Sequence, residues 1–146
     1  MTEKPTVRRP NYIEEVGELF GSVPTHRFLG MQLSRIEPGY SEVLLPFRKE
    51  LTQQTGTIHA GILLALADTA AGCAGWSLIK PDQNLLSVNI HVSLMRPALA
   101  ETLPAEGRVL KTGKRQQFTE AIIYADGDAE KSLFIKASIT MAVVEP

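Results

Sequence analysis

The sequence predicts an α+β domain in which one antiparallel sheet wraps around a single long helix. Three observations predict it: an apolar stretch from Ala60 to Ile79, a strictly alternating strand after it, and three further strand-like segments joined by short turns. With 146 residues, the chain has room for one hydrophobic core rather than two. We therefore assign residues 1–10 to a flexible N-terminal arm and residues 11–146 to a single domain.

Composition excludes several classes of protein. Lys and Arg (15) nearly balance Asp and Glu (16), so a strongly basic nucleic-acid binder is not expected. The single cysteine, Cys73, excludes an intrachain disulfide and is expected to be a small core residue. His26 and His91 are not spaced with a third ligand, so no metal site is predicted. The first ten residues lack the apolar segment of a signal peptide, and we expect a cytoplasmic protein.

A short helix is predicted from Asn11 to Phe20, ending in the segment Gly21 to Pro24. Asn11 stands at the N-cap position with Glu14 three residues later, which is the spacing of a capping box. The apolar residues recur at helical spacing and form one predicted face: Ile13, Val16, Leu19 and Phe20.

Two strands are predicted next, Met31 to Ile36 and Tyr40 to Phe47, joined by a turn at 37–39 that contains Pro and Gly. The segment from Leu51 to Ile58 is polar and has no clear period, so we expect a loop there.

The apolar stretch from Ala60 to Ile79 has about the length that spans a bilayer. Asp68 lies near its centre, where a charge is costly in a membrane, and Ala and Gly supply much of its apolar count. Because the segments that follow read as strands, we predict a helix buried in a protein core rather than a membrane span.

The clearest strand follows this helix, and Pro97 ends it. Its apolar residues are expected on one face: Leu86, Val88, Ile90, Val92 and Leu94. The residues between them are expected on the other, polar face: Ser87, Asn89, His91 and Ser93. Three short-linked strands come next and are expected to be antiparallel neighbours: Glu101 to Lys111, Gln117 to Ala125 and Leu133 to Val144. Because such a sheet leaves open edges, we expect a homodimer or homotetramer.

Asp68 and the segment Gly56 to Gly61 carry the chemical signal. A carboxylate in an apolar helix is paired, hydrogen-bonded or shifted in pKa, which fits either a structural hydrogen bond or a functional site. Small residues at a helix N-terminus leave amides free to hold an oxyanion, although a tight loop also needs glycine. Asp68 lies about 12 Å along the helix from these amides, so one chain does not easily place both on one carbonyl. Two antiparallel helices from two chains would place Asp68 of one chain and the helix N-terminus of the other on the same carbonyl.

The segment Gly56-Thr57-Ile58-His59-Ala60-Gly61, followed by Leu66-Ala67-Asp68, resembles the hotdog-fold thioesterases of the PaaI-like group. Their motif is Asn or Gln, then G-x-x-H-G-G, then a carboxylate on the central helix. The segments Ser87 to Ile90, Met95 to Ala98 and Val109 to Lys114 are similar to the family's later strands. The resemblance covers about Pro24 to Val144 and implies a hotdog fold.

The resemblance implies a role for each matching residue. Asp68 is the general base for water or the nucleophile on the thioester carbonyl, and the amide of Ala60 polarises that carbonyl. His59 shapes the loop, Gln53 orients water or the carbonyl, and Ser87 faces Asp68 and helps to hold water. The chain departs from the motif at two positions, since Ala60 replaces a glycine and Gln53 stands where Asn is commoner.

The resemblance implies substrate binding at Gly61 and Thr69, and it places four basic residues near the phosphates of coenzyme A: Arg96, Lys111, Lys114 and Arg115. Each of these four, taken singly, is also typical of a solvated surface. Trp76 is expected to end the helix against the core or the acyl pocket. The acyl group is expected to contact apolar residues between two chains: Met31, Leu33, Leu63 and Leu66.

The resemblance therefore implies an acyl-CoA thioesterase, with CoA as part of the substrate and with no separate cofactor, nucleic acid or membrane as a partner. One alternative is a hotdog protein that binds acyl-CoA without hydrolysing it. A hotdog dehydratase is not expected, because it needs a catalytic histidine and a carboxylate at a spacing that this sequence lacks. A serine hydrolase is not expected because G-x-S-x-G is absent.

Overall fold

A computed structural model of the protein describes residues 5–146, which form three helices and six strands. A short 3-10 helix, Lys49–Leu51, lies in the predicted loop region between the second strand and the third helix. The elements, in chain order, are α1 Tyr12–Ser22, α2 Pro24–Leu29, β1 Gln32–Glu37, β2 Tyr40–Pro46, α3 Ala60–Trp76, β3 Asn84–Leu94, β4 Thr102–Thr112, β5 Gln116–Ile123 and β6 Ile135–Val144.

The six strands form one antiparallel sheet in the order β1-β2-β4-β5-β6-β3. The predicted α+β class is confirmed, and so is the prediction that the last three strands are antiparallel neighbours. The strand with the clearest alternation, β3, pairs with β6 on one side only and forms an edge of the sheet. The other edge is β1.

Helix α3 lies across the inner face of the sheet and is apolar on nearly all sides, which confirms a buried helix. Helix and sheet approach closely at Gly107 in β4, where a Cβ would lie 2.3 Å from the carbonyl oxygen of Ala70. The hydroxyl of Ser41 in β2 donates to that same oxygen at 2.6 Å. Within residues 5–146, no helix combines the length and hydropathy needed to cross a membrane.

The central helix ends at Trp76, before the predicted limit at Ile79. The amide of Leu78 donates to the carbonyl of Gly75, and the Ser77 hydroxyl donates to the carbonyl of Ala74 at 2.6 Å. These bonds satisfy the last carbonyls of α3 within a turn. The helix therefore ends although the apolar side chains that follow, Leu78 and Ile79, are still buried. The apolar pattern alone carries no signal for this stop.

The N-terminal helices differ from the prediction in two respects. Asn11 is the N-cap of α1, but its side chain makes no capping hydrogen bond, so the predicted capping box is wrong. Ile13 is 63% exposed, so the buried face is narrower than predicted. Helix α2 was not predicted; it begins at Pro24 and ends before Gly30, whose φ of 77° is the left-handed conformation of a helix C-cap.

Arg9 lies within the predicted N-terminal arm, of which residues 1–4 lie outside the described residues. Its side chain is buried and pairs with Glu15 at 3.2 Å, while its guanidinium donates to the carbonyl of Lys80 at 3.0 Å. These contacts join the segment before α1 to the segment that follows α3.

A β-bulge at Val88 changes the alternation of β3. Before the bulge, Ser87 pairs with Met141 of β6, which is on the inner face of the sheet; after it, Ile90 pairs with Ile139, also on the inner face. The predicted single apolar face is therefore wrong, because an extra residue shifts the alternation by one position. The bulge turns Ser87 towards α3.

The outer face of the sheet holds a buried carboxylate, Glu106 of β4, which is 5% exposed. Tyr40 donates to it at 2.7 Å and the Lys131 ammonium at 2.8 Å, while the Arg108 guanidinium lies at 3.9 Å. Burial raises the pKa of Glu106, but these donors outweigh it and hold that pKa below its usual range. The Glu106–Lys131 pair fastens the loop between β5 and β6 to the sheet.

Replacing Glu106 by Gln should lower the free energy of unfolding at neutral pH by about 1–3 kcal/mol, because the buried Tyr40 hydroxyl and the Lys131 ammonium lose a charged partner. A lowered folded-state pKa stabilises the fold above the unfolded-state pKa, and this contribution is lost as pH falls through the folded-state pKa. The difference between the two proteins should therefore shrink in acid. Urea unfolding at neutral and acidic pH measures it, with exposed Glu101→Gln as control, and a pH-independent difference contradicts this account.

Candidate functional site

A cavity of about 210 Å3 lies along α3, between α2 on one side and β3 and β6 on the other. Four polar side chains line it: His26, Asp68, Thr69 and Ser87. Its remaining lining is apolar: Gly72, Trp76, Leu85, Leu86 and Met141. The cavity is thus an apolar groove with a polar end beside Asp68.

Asp68 and Ser87 form a direct pair across this cavity. The Ser87 hydroxyl, turned inward by the bulge, donates to Oδ1 of Asp68 at 2.5 Å. Within residues 5–146 the second carboxylate oxygen, Oδ2, has no hydrogen-bond partner. The carboxylate is therefore held in orientation by one bond while an oxygen remains able to accept a proton or attack a carbonyl.

His26 and Thr69 form the other polar contact of the cavity. Nε2 of His26 lies 3.3 Å from the Thr69 hydroxyl, and Nδ1 lies 3.0 Å from the carbonyl oxygen of Phe20. Burial lowers the pKa of His26 more than the Phe20 bond and the charge of Asp68 raise it. Sequence reasoning assigned no role to His26, since nothing local indicates that α2 brings it to α3.

The residues predicted to bind the carbonyl oxygen lie at the N-terminus of α3. His59 is the N-cap, and its Nδ1 accepts from the amide of Gly61 at 2.9 Å. In the part of the chain that the structure describes, the amide of Ala60 makes no hydrogen bond. The Gln53 side chain donates to the Thr57 hydroxyl at 3.0 Å and so closes the preceding loop. The structure therefore brings these residues together beside one unpaired amide.

The two groups of predicted catalytic residues remain apart within one chain. Asp68 lies eight residues beyond Ala60 on the same helix, a distance of about 12 Å along its axis. Asp68, Thr69 and Ser87 surround the cavity, whereas Gln53, His59 and Ala60 surround the start of the helix. One carbonyl does not reach both groups in the single chain.

The basic residues predicted to bind CoA do not form one cluster. Three are exposed at or beside the turn between β4 and β5: Lys111, Lys114 and Arg115. Thr112 pairs with Gln117, Gln117 pairs with Met141, and Met141 pairs with Ser87, so these residues lie side by side across the sheet. The β4–β5 turn therefore lies at the same end of the sheet as the cavity.

Arg96 lies at the other end of β3. Its guanidinium donates to the carbonyl of Ser132 at 2.7 Å and stacks over the ring of Phe134 at 4.2 Å. Arg96 is therefore separated from Lys111, Lys114 and Arg115, because the antiparallel strands place them at opposite ends of the sheet.

The predicted acyl-contacting residues do not line this cavity. Met31, Leu63 and Leu66 are buried in the core, and Leu33 packs against it. Trp76 ends α3, as expected, and its side chain lines the cavity. Sequence reasoning missed Leu85 and Met141, because their positions depend on the register between β3 and β6.

Cys73 has the environment that the sequence predicts, whereas His91 lies on a polar face of the sheet, as predicted, but not on the same face as Ser87. Cys73 is fully buried in the core, and burial raises the pKa of its thiol to about 12. His91 is exposed and pairs with Ser138 on the outer face of the sheet, away from the cavity.

Gly72 forms the open floor of the cavity, whereas Gly75 is tightly enclosed. A Cβ on Gly72 would meet nothing closer than Met141 at 4.0 Å, but one on Gly75 would lie 2.4 Å from Oε1 of the buried Gln117 and 2.6 Å from Leu85. Gly72→Ala should therefore stabilise the protein by about 0.5–1 kcal/mol, through helix propensity.

Gly75→Ala should destabilise the protein by about 1–3 kcal/mol, through overpacking. Urea unfolding of the two variants measures both changes. Equal effects of the two substitutions would contradict an open groove at Gly72.

Solved structures share this architecture. A thioesterase family protein from Silicibacter pomeroyi superposes with a TM-score of 0.89 at 29% identity, covering 93% of this chain and all of that one. The E. coli PaaI protein from the phenylacetic acid degradation operon superposes with a TM-score of 0.82 over 91% of this chain and 93% of its own. At 18% identity, this second likeness concerns the fold alone. The predicted hotdog fold is confirmed.

The sequence comparisons agree with the fold. A 1,4-dihydroxy-2-naphthoyl-CoA hydrolase from Listeria monocytogenes is 27% identical over 115 residues, 79% of this chain and 91% of that protein. Residues 55–132, more than half of the chain, match the model of one family. They contain the start of α3, Asp68 and Ser87. By this match the chain belongs to the thioesterase superfamily.

Proposed function

We propose that this protein hydrolyses an acyl-CoA thioester to a free acid and CoA. The observation that carries the proposal is the Asp68–Ser87 pair at the polar end of an apolar cavity. A thioesterase needs an activated water or a carboxylate nucleophile beside a space for the acyl group. The Asp68–Ser87 pair supplies the carboxylate, and the apolar part of the cavity supplies the space.

Asp68 acts either as the base that takes a proton from water or as the nucleophile that attacks the carbonyl. Ser87 orients the carboxylate through Oδ1 and leaves Oδ2 for the reaction. The Ala60 amide, unpaired among the described residues, donates to the carbonyl oxygen as negative charge develops on it. With Asp68 as base, the water oxygen bonds to the carbonyl carbon, the C–S bond breaks, and the thiolate takes the proton from Asp68 to become CoA. With Asp68 as nucleophile, Oδ2 bonds to the carbonyl carbon as the C–S bond breaks, the thiolate takes a proton from solvent, and water then hydrolyses the acyl–Asp68 anhydride to the free acid.

A homodimer completes this site. Strand β3 is an edge strand of 11 residues, and its exposed side chains include Leu86 (60%), Val88 (59%) and Leu94 (57%). The opposite edge, β1, has 6 residues and carries an exposed ion pair between Arg35 and Glu37. Charged, short edges resist pairing, whereas a long apolar edge favours it.

Pairing of two β3 strands places the two central helices side by side. When they are antiparallel, Asp68 of one chain faces the helix N-terminus of the other, which removes the 12 Å separation estimated from helix rise. We therefore assign each active site to residues of both chains: Asp68 and Ser87 from one, and Ala60, His59 and Gln53 from its partner. A homotetramer of two such dimers is compatible with the same sites.

The substrate extends from the cavity to the surface. The acyl group occupies the groove above Gly72, and the phosphates of CoA bind the cations beside the β4–β5 turn: Lys111, Lys114 and Arg115. Gly61 lies beside the Ala60 amide at the start of the helix, and Thr69 lies beside Asp68 on the cavity wall. Arg96 is a weaker candidate, since carbonyls already use part of its guanidinium.

A second candidate function is binding of acyl-CoA without hydrolysis. Ala60 adds a methyl group where the thioester carbonyl would approach, and the Gln53 side chain is bonded to Thr57. Both features favour slow chemistry at an intact binding site. Direct binding of a non-hydrolysable acyl-CoA thioether, combined with absence of thiol release, identifies this alternative.

Asp68→Asn should reduce kcat for acyl-CoA hydrolysis by about 10²- to 10⁴-fold, because an amide is neither a general base nor a nucleophile here. The measurement is thiol release from a panel of aryl-, short- and medium-chain acyl-CoAs. Asp82→Asn, an exposed carboxylate outside the cavity, is the matched control and should retain full activity. Equal activity of wild type and a folded Asp68→Asn variant excludes Asp68 as the catalyst.

Val88→Lys should convert the dimer to a monomer and abolish turnover, because a charge on the β3 edge opposes strand pairing. Leu110→Lys is the matched control, since Leu110 is 62% exposed on β4, away from that edge. Sedimentation velocity with thiol release measures both properties. A wild-type monomer that is fully active contradicts a site shared between chains.

A further inference from the structure

His26 reaches the cavity from outside the segment that matches the family model, 55–132. It lies in α2, is 7% exposed, and its ring packs against Phe20 with centroids 4.6 Å apart. The ring is therefore held in place by packing, and its two nitrogens have fixed neighbours.

These neighbours determine which nitrogen carries the proton. The carbonyl oxygen of Phe20 only accepts hydrogen bonds, so Nδ1 of His26 must donate to it. Burial favours the neutral ring, whose Nε2 is then an acceptor. The hydroxyl of Thr69, 3.3 Å from Nε2, must therefore be the donor in that contact.

This arrangement determines what Thr69 offers to the cavity. A threonine hydroxyl has one proton, and here His26 holds it, so only lone pairs of Oγ1 face other partners. Without His26, a helical threonine would donate to the carbonyl four residues earlier or to a nearby carboxylate. Asp68, the preceding residue, also presents an acceptor, Oδ2. The cavity wall thus offers two neighbouring acceptors.

We propose that His26 is a positioning residue. Its Nε2 accepts the hydrogen bond from the Thr69 hydroxyl, so that Thr69 and Asp68 remain a pair of acceptors for the water that attacks the thioester. This inference rests on the proposed function. The water gives one proton to Asp68 and one hydrogen bond to Thr69, while its oxygen forms a bond to the carbonyl carbon. The C–S bond breaks, and the thiolate takes the proton from Asp68, which gives one acid and one thiol.

Kinetics of four variants test this role. His26→Phe keeps the ring packing and removes both nitrogens, Thr69→Val keeps the shape and removes the hydroxyl, and Thr69→Ser restores a hydroxyl. We expect His26→Phe and Thr69→Val each to lower kcat about tenfold with KM changed by less than about twofold, and Thr69→Ser to retain activity. The double variant, His26→Phe with Thr69→Val, should be no slower than Thr69→Val alone, since both act through one hydrogen bond.

Other kinetic results overturn the proposal. Multiplied losses in the double variant, or a rise in KM without a fall in kcat, assign His26 to packing or to acyl binding. A hydroxyl group on the acyl chain could donate to Thr69 and Asp68 in place of the attacking water. The panel therefore contains acyl-CoAs with and without a hydroxyl, and a loss confined to the hydroxylated ones rejects the water assignment.

Nuclear magnetic resonance of the full chain with 15N-labelled histidine tests the geometry without any turnover. We expect the Nδ1–H tautomer for His26 at neutral pH and a shift of its Nε2 resonance in Thr69→Val. The Nε2–H tautomer overturns the proposal even in an active enzyme. If the wild type has the expected tautomer and hydrolyses no thioester, the proposed function fails and the water site with it, while the His26–Thr69 bond stands.

Discussion

The fold depends on the close contact between α3 and β4. Gly107 has no side chain, so the carbonyl of Ala70 approaches the strand backbone directly, and Ser41 from β2 donates to the same oxygen. A helix made largely of Ala and Gly fits this short distance, since larger side chains would push it away from the sheet. The position of α3 in turn determines where Asp68 lies, and every element of the candidate site is arranged around that position.

Polar groups enter this apolar interior only where a partner meets them. Asp68 is stabilised by the Ser87 hydroxyl, which faces it because the bulge at Val88 shifts the alternation of β3. Thr69 is met by His26 on the opposite wall. Each pair joins α3 to a different element, so the polar end of the cavity is held from both sides. The acceptors that stay unpaired within residues 5–146 are therefore fixed in place, which is the preorganisation that the proposed reaction would need.

The single chain leaves two features incomplete, and one arrangement would complete both. The apolar edge of β3 is uncovered, and the amide of Ala60 lies on the same helix as Asp68 but far from it. In the proposed dimer, a second copy paired along β3 would cover that edge and would bring its Ala60 amide to Asp68. The proposed function and the proposed dimer are thus linked, since the proposed hydrolysis at Asp68 would need an amide that its own chain does not bring near.

The sequence by itself determined the fold class, the long central helix and the residues of its N-terminal loop, because these follow from local hydrophobic periodicity and from a motif of contiguous residues. The approach of Ser87 to Asp68 was implied by family resemblance, but the strict alternation of β3 predicted the opposite face. Only the tertiary structure decided that direction, through a bulge set by pairing with β6. It also brought His26 to Thr69 and separated Arg96 from Lys111, since contacts between distant segments depend on strand register and helix packing, which local sequence does not encode.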